Sequence, residues 1–300
     1  MRLSSTHLRN WIMAARPKTL VAGCAPIAVA TALTYLNGYP ILWWVSLCAL
    51  GCTLALQIAT NFFNDAIDYA KGADTEERLG PMRATASGAF SGRVVMLLAS
   101  GALVVAALAG LPLLLKGGLP FVVLGLASLF LAYAYTGGPF PLAYLGLGEL
   151  FVVLFFGLLA VAGTHFLQVD DLKMDALILG FQQGLFATVL IVVNNARDIQ
   201  GDRAVGKMTL AARFGLQFAK AEVVFCYAVA LLFNLHWFFS GWSVVAMVSS
   251  LSLLPALLVI LKLLPLQPSE EYNKILAFAG VTQLVFAVCF CTGVWIETGL

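Results

Sequence analysis

The sequence predicts an all-α, polytopic membrane protein in which nine transmembrane helices form one bundle, and three observations support this prediction. First, 61% of the 300 residues are hydrophobic and 11% are charged, whereas soluble domains are about half apolar and a quarter charged. Second, the chain contains nine apolar runs long enough to cross a bilayer. Third, basic residues concentrate in alternate connections between these runs. We expect a single integral-membrane domain over residues 1–300.

Each predicted span is a run of about 20 mostly apolar residues, and this length predicts helices because the backbone must satisfy its own hydrogen bonds in lipid. In chain order the predicted spans are Leu20–Leu36, Ile41–Phe63, Val94–Leu115, Leu119–Thr136, Leu147–Leu167, Met174–Asn194, Ala221–Ser240, Trp242–Leu261 and Ile275–Ile296. The basic residues before the first run faintly resemble those of a signal peptide. No clear small-residue cleavage site follows, so we expect a retained span.

The distribution of Lys and Arg predicts the orientation of the bundle. With the N-terminus in the cytoplasm, the inner connections hold 15 of the 17 basic residues, and the outer ones hold only Lys116 and Lys173. The prediction is a multi-pass protein of the cell inner membrane with its C-terminus on the side opposite the cytoplasm. Residues Ser4–Ala15 precede the first span, and their apolar face predicts a short helix that lies in the interface.

The composition gives little support to several other kinds of site. The chain has no basic stripe or recognition motif for nucleic acid, so no nucleic-acid partner is expected. All six cysteines lie within apolar runs, and neither CxxxC nor CxC has a companion cluster, which disfavours zinc and disulfide sites. His7, His165 and His236 lie away from the acidic connections, and we interpret them as structural.

Two connections on the predicted cytoplasmic side are unusually polar, residues 61–88 and residues 194–215. On a helix of 3.6 residues per turn, the polar residues that begin each connection fall within an arc of about 100°. These residues are Asn61, Asn64, Asp65 and Asp68 in the first connection and Asn194, Asn195, Asp198 and Asp202 in the second. The two sets resemble two copies of one motif four spans apart, which hints at an internal repeat. The alternative to a functional site is that both sets are ordinary helix ends exposed to solvent.

Carboxylates and amide oxygens in this pattern predict a magnesium–diphosphate site. Mg²⁺ prefers octahedral oxygen ligands and commonly bridges protein carboxylates to phosphate oxygens. Basic residues can neutralise the remaining phosphate charge, and arginine suits bidentate contacts. The basic candidates are Lys71, Arg78, Arg83, Arg197 and Lys207. Because the adjoining spans are apolar, we expect a diphosphate with a hydrophobic tail, which is an isoprenoid.

Five ordered blocks of the sequence resemble the UbiA superfamily of intramembrane prenyltransferases. The blocks are AARPKTL (14–20), NDAIDYAKGAD (64–74), RLGPMR (78–83), YTGGPFPLAYLGLGE (135–149) and NNARDIQGDRAVGKMTLAARFG (194–215). The last two blocks are most similar to the branch that prenylates 1,4-dihydroxy-2-naphthoate. The resemblance implies nine helices around an active site on the cytoplasmic side, with Mg²⁺ as the cofactor and Mn²⁺ as its substitute. The implied metal ligands are Asp65, Asp68, Asp74, Asp198 and Asp202.

By this resemblance we expect an enzyme of menaquinone biosynthesis. It would transfer the prenyl chain of an allylic polyprenyl diphosphate to dihydroxynaphthoate with loss of CO₂, so that no strong base is demanded. The expected catalytic residues are Asp65, Asp68, Asp198 and Asp202. The expected substrate-binding residues are Asn61, Asn64, Lys71, Arg78, Arg83, Asn194, Asn195, Arg197, Lys207, Arg16, Lys18 and Tyr135.

Several residues near the acidic connections have two interpretations. Arg16 and Lys18 are either a topology signal or cations for the acceptor carboxylate or the diphosphate. Gly137–Pro139 either lines the acceptor pocket or makes a tight turn, and Glu149 is a weaker active-site candidate. Aromatic side chains either shield the cation-like allylic carbon or pack at the membrane interface. These are Phe62, Phe63, Tyr69, Tyr133, Tyr135 and Phe140.

Two other functions stay open on the sequence alone. Another UbiA-type activity would keep the fold and the diphosphate site, either by phytyl transfer to a naphthoate or by prenylation of 4-hydroxybenzoate or homogentisate. A cation-coupled transporter is the alternative from another class, and its acidic residues are expected near the middle of the membrane. Here the acidic residues cluster at one predicted face, which favours the enzyme.

Overall fold

The computed structural model of the protein describes residues 16–73, 78–81 and 83–299, except for the side chains of residues 17 and 18. The predicted interfacial helix Ser4–Ala15 and the predicted metal ligand Asp74 lie outside the described residues, and so does the side chain of Lys18. Every regular element in the described part is helical, which confirms the all-α prediction.

The described residues form fourteen α-helices, one π-helix and one 3₁₀-helix. In chain order they are α1 (Pro17–Leu36), α2 (Trp43–Ala70), α3 (Gly92–Ala134), α4 (Leu142–Leu145), α5 (Gly148–Val152), the π-helix (Val153–Gly163), α6 (Thr164–Val169), α7 (Met174–Arg197), α8 (Ile199–Ala204), α9 (Leu210–Phe214), α10 (Leu216–Leu232), α11 (Asn234–Phe239), α12 (Ser243–Ser249), the 3₁₀-helix (Ser250–Ser252), α13 (Leu253–Leu263) and α14 (Tyr272–Glu297). Several of these elements follow one another without a gap. For example, α5, the π-helix and α6 form one continuous helical segment.

Within the described residues, eight helical stretches are long and apolar enough to cross a membrane. The longest is α3 with 43 residues, which at about 1.5 Å per residue is roughly twice the thickness of a bilayer core. At Gly118 its backbone takes φ 68° and ψ −157°, so the helix breaks there. A Cβ atom at Gly125 would lie 2.8 Å from Cδ2 of Leu114 on the other side of the break, so the two arms fold back against each other.

Two helix ends differ from the prediction. The second apolar run is predicted to end at Phe63, but α2 continues as one helix to Ala70 and carries the first acidic set on its last turns. In contrast, α7 ends at Arg197, and Asp198 separates it from α8 with φ −97° and ψ 12°. Asp202 therefore lies on a different helix from the asparagines of its set, and the prediction of one shared helical arc is wrong there.

Helix α7 lies at the centre of the bundle. In its most apolar stretch 78% of the residues are buried, and it packs against the π-helix, α10 and α14. Gln182 of α7 donates from Nε2 to the backbone oxygen of Ala230 at 2.8 Å and accepts from Nε1 of Trp237 at 2.9 Å. Hydrogen bonds in an apolar interior meet little competition from water. They therefore fix α7 firmly against its neighbours.

Glycines bring the π-helix unusually close to α7. A Cβ atom at Gly157 would lie 2.4 Å from the backbone oxygen of Gly180 and 2.6 Å from Cα of Gly184. Small residues that let helix backbones approach are typical of membrane bundles. The position of the π-helix relative to α7 therefore depends on the missing side chain at Gly157.

We predict that Gly157→Ala destabilises the bundle by about 1–3 kcal/mol, because the added methyl group forces α7 and the π-helix apart. Thermal unfolding of the purified protein in detergent measures the effect. The control Gly101→Ala adds the same methyl group to α3 at a point where nothing lies within 4 Å. We expect it to be neutral or slightly stabilising, so equal unfolding midpoints for the two variants would contradict the close packing.

Candidate active site

Asp65 is buried on the last turns of α2 and holds the connection that follows the helix. Its two carboxylate oxygens accept hydrogen bonds from the backbone N–H groups of Ala84 and Thr85, each at 3.0 Å. Two such charge-assisted bonds on one carboxylate are strong and directional. Asp65 therefore folds the chain after Arg83 back onto α2.

Asp68 lies one turn further along α2 and is buried between two partners. Nη2 of Arg83 lies 2.9 Å from its Oδ2, and both side chains are almost fully buried. The hydroxyl of Tyr144 donates to its Oδ1 at 3.1 Å. Arg83 also donates to the backbone oxygen of Asn64. A buried carboxylate needs partners of this kind, and they bring the third and fourth sequence blocks onto the second.

Arg197 connects the second acidic set to distant parts of the chain. It contacts both carboxylate oxygens of Asp198, at 2.8 Å from Nε and 2.6 Å from Nη2, and it donates to Oδ1 of Asn273 at 2.6 Å. Asn273 in turn donates to the backbone oxygen of Leu79 at 2.9 Å. Burial alone would raise the pKa of Asp198, but the hydrogen bonds and charge of Arg197 together with the charge of Arg78 hold that pKa below its ordinary value.

Asp202 is less well satisfied than Asp198. Lys207 is its ion-pair partner, at 3.4 Å from Nζ to Oδ1, and its buried Oδ2 has no hydrogen-bond partner among the described residues. Burial raises the pKa of Asp202 to about 6, with the charges of Asp198 and Asp68 adding to burial and Lys207 opposing it. An orphaned buried carboxylate oxygen is the atom that a cation or a ligand donor would satisfy.

Tyr144 joins the two acidic sets. Its hydroxyl bonds Asp68, and Nζ of Lys207 lies 5.9 Å from its ring centroid while Nζ of Lys71 lies 4.1 Å away. Burial and the negative charge of Asp68 raise the pKa of Tyr144, so its hydroxyl stays protonated and donates. Lys71 also donates to the backbone oxygen of Thr136 at 2.9 Å. Asp68, Tyr144, Lys207 and Asp202 therefore form one continuous polar chain.

Arg16 brings a third guanidinium close to Arg83 and Arg78. Burial, together with repulsion from Arg83 and Arg78, lowers the pKa of Arg16 to about 9, while the charges of Asp65 and Asp68 act in the opposite direction. Its Nη2 has no hydrogen-bond partner among the described residues, and its backbone is left-handed with φ 52°. Strain of this kind in a residue other than glycine typically occurs at binding sites. The three arginines together concentrate positive charge, which suits the binding of an anion.

A cavity of about 390 Å³ is bordered by residues of both acidic sets. Its polar end is lined by Arg16, Asn61, Asn64, Asp68, Arg83, Tyr135, Glu149, Asn194, Asn195 and Lys207. The remainder is lined by apolar side chains of both arms of α3 and of the π-helix, such as Leu113, Leu129 and Phe155. The cavity therefore offers charge at one end and a hydrocarbon environment along the rest.

The oxygen-rich donor set fits a hard divalent cation that is shared with a ligand. Among the described residues, no three His, Cys, Asp or Glu side chains gather closely enough to hold an ion by themselves. Mg²⁺ usually takes one or two carboxylates, keeps several waters and completes its shell with substrate phosphates. Asp68 and Asp202, the latter with an orphaned oxygen, have the chemistry required of this smaller number of ligands.

The UbiA prenyltransferase family matches the chain over residues 24–295. The chain belongs to this family. A 1,4-dihydroxy-2-naphthoate octaprenyltransferase from Haemophilus influenzae is 34% identical over 313 residues, which cover 98% of each chain. An enzyme of the same name from Escherichia coli is 35% identical over 252 residues, covering 79% of this chain and 80% of its own. These matches confirm the resemblance that the five sequence blocks indicated.

Solved structures of UbiA homologues share the fold. The apo structure of a homologue from Aeropyrum pernix superposes with a TM-score of 0.69 at 19% identity, covering 93% of this chain and 98% of the other. A homologue from Archaeoglobus fulgidus bound to GPP and Mg²⁺ superposes with a TM-score of 0.68 at 15% identity, covering 95% and 99%. At these identities the likeness establishes the common helical architecture.

The structure separates the residues that UbiA resemblance singled out into two groups. Nine of them line the cavity: Arg16, Asn61, Asn64, Asp68, Arg83, Tyr135, Asn194, Asn195 and Lys207. The others with described side chains stand behind that lining: Asp65, Lys71, Arg78, Arg197, Asp198 and Asp202. Of the six aromatic candidates, all within the described residues, only Tyr135 lines the cavity, and Phe63 packs edge-on against Tyr133 instead.

Three residues that sequence reasoning did not select hold the UbiA site together. Tyr144 bridges the acidic sets, Thr136 donates to Oδ1 of Asn64, and Asn273 fixes Arg197. Tyr144 and Thr136 lie inside the block YTGGPFPLAYLGLGE, so their position in a block that resembles the family was the sequence signal that could have identified them. Asn273 begins an otherwise apolar helix, and no local pattern distinguishes it.

We predict that Asp65→Asn and Asp202→Asn both abolish prenyl transfer but differ in stability. An amide oxygen cannot replace both hydrogen bonds that Asp65 accepts, so Asp65→Asn should lose about 1–3 kcal/mol of stability. Asp202→Asn removes a desolvated carboxylate with an orphaned oxygen, so the unfolding midpoint should stay unchanged or rise. Thermal unfolding and an activity assay together measure both effects. An Asp65→Asn variant as stable as wild type would contradict the role of Asp65 in holding the chain after Arg83.

Proposed function

We propose that the protein transfers the prenyl chain of an allylic polyprenyl diphosphate to 1,4-dihydroxy-2-naphthoate with loss of CO₂, giving a demethylmenaquinol, the reduced form of demethylmenaquinone. The observation that carries this proposal is a single cavity with an anion site at one end and an apolar remainder. Such a cavity fits a substrate that is part anion and part hydrocarbon. The relatives from Haemophilus influenzae and Escherichia coli bear the name of this reaction and support the choice of acceptor.

The arginine cluster is the proposed site for the donor diphosphate. Arg16, Arg78 and Arg83 repel one another in a buried setting, and a polyanion between them would offset that repulsion. Nη2 of Arg16 has no partner among the described residues and is therefore available as a donor. Guanidinium groups contact phosphate oxygens in pairs, which fixes orientation as well as charge.

Mg²⁺ is the proposed cofactor, and we expect Mn²⁺ to substitute for it. Asp68 and Asp202 are the residues that would hold it, while Asp65 and Asp198 brace them through the bonds to backbone N–H groups and to Arg197. When bound, the metal neutralises negative charge that develops on the departing pyrophosphate. Asp74 stays a predicted ligand outside the described residues.

The chain's own residues then direct the reaction. The arms of α3 and the π-helix enclose the hydrocarbon tail and exclude water, so the cation-like allylic carbon meets the acceptor first. Tyr135 presents an aromatic ring at the polar end, and such a ring attracts a cation by about 0.5–2 kcal/mol. The bond from the allylic carbon to the diphosphate breaks as the new carbon–carbon bond forms. CO₂ leaves from the ring carbon that was attacked.

We infer that the two arms of α3 are separate spans, which raises the count from eight to the nine expected from the sequence. An odd number of spans places the termini on opposite sides of the membrane. The distribution of Lys and Arg supports a cytoplasmic N-terminus in the cell inner membrane, with the acidic sets facing the cytoplasm. Water-soluble diphosphate and naphthoate headgroups would then reach the site directly.

The alternatives differ in what the same site would accept. A phytyl donor, 4-hydroxybenzoate or homogentisate would use the same arginines and carboxylates, and only the walls of the cavity would select among them. A cation-coupled transporter fits less well, because the four paired or orphaned aspartates lie at one end of α2 and at the junction of α7 and α8. Transporter sites typically lie near the middle of the membrane.

We predict that the purified protein converts a polyprenyl diphosphate and dihydroxynaphthoate to the decarboxylated prenyl product only when a divalent metal is present. The assay offers dihydroxynaphthoate and 4-hydroxybenzoate in parallel and identifies products by mass. Product from 4-hydroxybenzoate alone would be consistent with the proposed donor site but would contradict dihydroxynaphthoate as the acceptor. Full activity in excess EDTA would contradict the proposed requirement for a metal.

We also predict that Arg16→Gln raises KM for the donor diphosphate by about tenfold or more, because it removes a charge-assisted donor worth about 1.5–3 kcal/mol. Stability should be retained, since Nη2 of Arg16 has no hydrogen bond to lose within the described part of the chain. The control Arg93→Gln makes the same charge change at the start of α3, away from the cavity lining. A donor KM that rises equally in both variants would indicate a general surface-charge effect.

A further inference from the structure

Glu149 at the start of α5 is a buried carboxylate that the proposed donor and metal sites do not use. Its side chain lines the cavity, and the residue is only 6% exposed. Oε1 accepts a hydrogen bond from Nδ2 of Asn195 at 3.0 Å. Oε2 is buried and has no hydrogen-bond partner among the described residues. One oxygen is therefore fixed by the protein, and the other is available to a ligand in the cavity.

Glu149 combines a half-satisfied carboxylate with a place in the cavity lining, and this combination distinguishes it from a structural carboxylate. Asp65 and Asp198 have both oxygens bonded by the protein, as buried structural carboxylates usually do. A buried polar atom left without a partner is costly unless something else satisfies it. Since a carboxylate accepts hydrogen bonds and repels anions, its ligand must present a donor rather than a phosphate or a carboxylate.

The surroundings of Glu149 favour a flat ligand. Tyr135 lies next to it, and a Cβ atom at the neighbouring Gly148 would lie only 3.0 Å from the hydroxyl of Tyr135 and 2.9 Å from Cδ1 of Ile191. Glycine at this position therefore keeps the tyrosine ring beside the carboxylate. An aromatic ring that carries a hydroxyl group matches both features, since it stacks beside Tyr135 and donates to Oε2.

We propose that Glu149 binds a ring hydroxyl of the aromatic acceptor through Oε2 and takes its proton as the ring attacks the allylic carbon. This inference rests on the proposed function and assigns the acceptor half of the same site. Glu149 is then a catalytic residue that raises electron density on the ring, whereas Asn195 positions it.

The electrons and protons of this step balance. As the hydroxyl proton passes to Oε2, the oxygen becomes a carbonyl and the ring carbon that bears the carboxylate forms its bond to the allylic carbon. The allylic carbon–oxygen bond breaks, and its electron pair leaves with pyrophosphate. CO₂ then departs and leaves its bonding electrons in the ring as an enolate. The enolate oxygen recovers the proton from Glu149, so no net proton is consumed.

The ionisable groups that interact electrostatically with Glu149 come from two parts of the chain. They are Tyr135 after α3, and Glu222 and Cys226 on α10. Glu222 does not line the cavity, although its Oε2 is likewise buried and without a partner among the described residues. Glu222 therefore serves as a matched control, because it is a half-buried carboxylate in the same region that also has a buried oxygen without a partner among the described residues but does not line the cavity.

The experiment compares Glu149→Gln with Glu222→Gln in the full-length protein in detergent, with dihydroxynaphthoate as the acceptor. The glutamine oxygen can still accept the hydrogen bond from Asn195, so the fold should be kept. For Glu149→Gln we expect kcat to fall by about 10²-fold or more, the size of a general-base contribution, with KM for the donor unchanged. Glu222→Gln should stay within about twofold of wild type. Loss of activity in both variants alike, or in neither, would overturn the proposal.

A second readout separates proton transfer from a merely structural role. Ring-substituted acceptors with more acidic hydroxyl groups should recover activity in Glu149→Gln, because their proton is lost without help. A structural defect would instead lower the activity with every acceptor by the same factor, and that result would overturn the assignment of Glu149 as the base.

If Glu149→Gln does not yield folded protein, wild-type enzyme still tests the idea with the two mono-O-methyl ethers of dihydroxynaphthoate. At least one ether should be inert, and equal turnover of both ethers and the parent would overturn the proposal. Wild type that prenylates none of the hydroxyaromatic acceptors would instead count against the proposed function itself.

Discussion

The structure depends on the requirement that charges withdrawn from water be paired. The bundle buries aspartates and arginines at one end of an apolar interior, where an unpaired charge is strongly unfavourable. Asp65 meets the requirement with backbone N–H groups, Asp68 with Arg83, and Asp198 with Arg197. These pairs attach the connection after α2 and the junction after α7 to the helices. Without them the two polar connections would have no fixed position over the cavity.

The same requirement indicates where ligands bind. After the protein has made its own pairs, the buried polar atoms that have no partner among the described residues include Nη2 of Arg16, Oδ2 of Asp202 and Oε2 of Glu149. Each has the chemistry of a different ligand group, namely an anion, a cation and a hydrogen-bond donor. A diphosphate, a divalent metal and a phenolic hydroxyl supply these three groups. Residues of the same chemical type therefore fall into two groups. In one group the protein itself pairs the polar atoms and so builds the site, and in the other group a polar atom is left to bind a ligand.

The sequence predicted the spans and the acidic sets well because both are local properties. An apolar run of sufficient length specifies a membrane helix, and the gap between the predicted spans Val94–Leu115 and Leu119–Thr136 coincides with the interruption of α3 at Gly118. The division of roles among the aspartates was not predictable. Asp68 and Asp202 are each the last member of their polar set, yet both oxygens of Asp68 are bonded and Oδ2 of Asp202 has no partner among the described residues. The difference arises from Arg83 and Tyr144, whose contacts with Asp68 depend on how distant parts of the chain pack.

Because α7 lies at the centre of the bundle, the packing of this helix and the geometry of the site depend on each other. Its middle carries the glycines that let the π-helix approach, and its last turns carry Asn195 and Arg197, which fix Glu149 and Asp198. The π-helix is also a wall of the apolar part of the cavity. A shift of α7 against the π-helix would therefore change the hydrocarbon channel and the polar end together. Because a helix in a packed core moves as a rigid element, the structure keeps the reacting ends of two very different substrates in register.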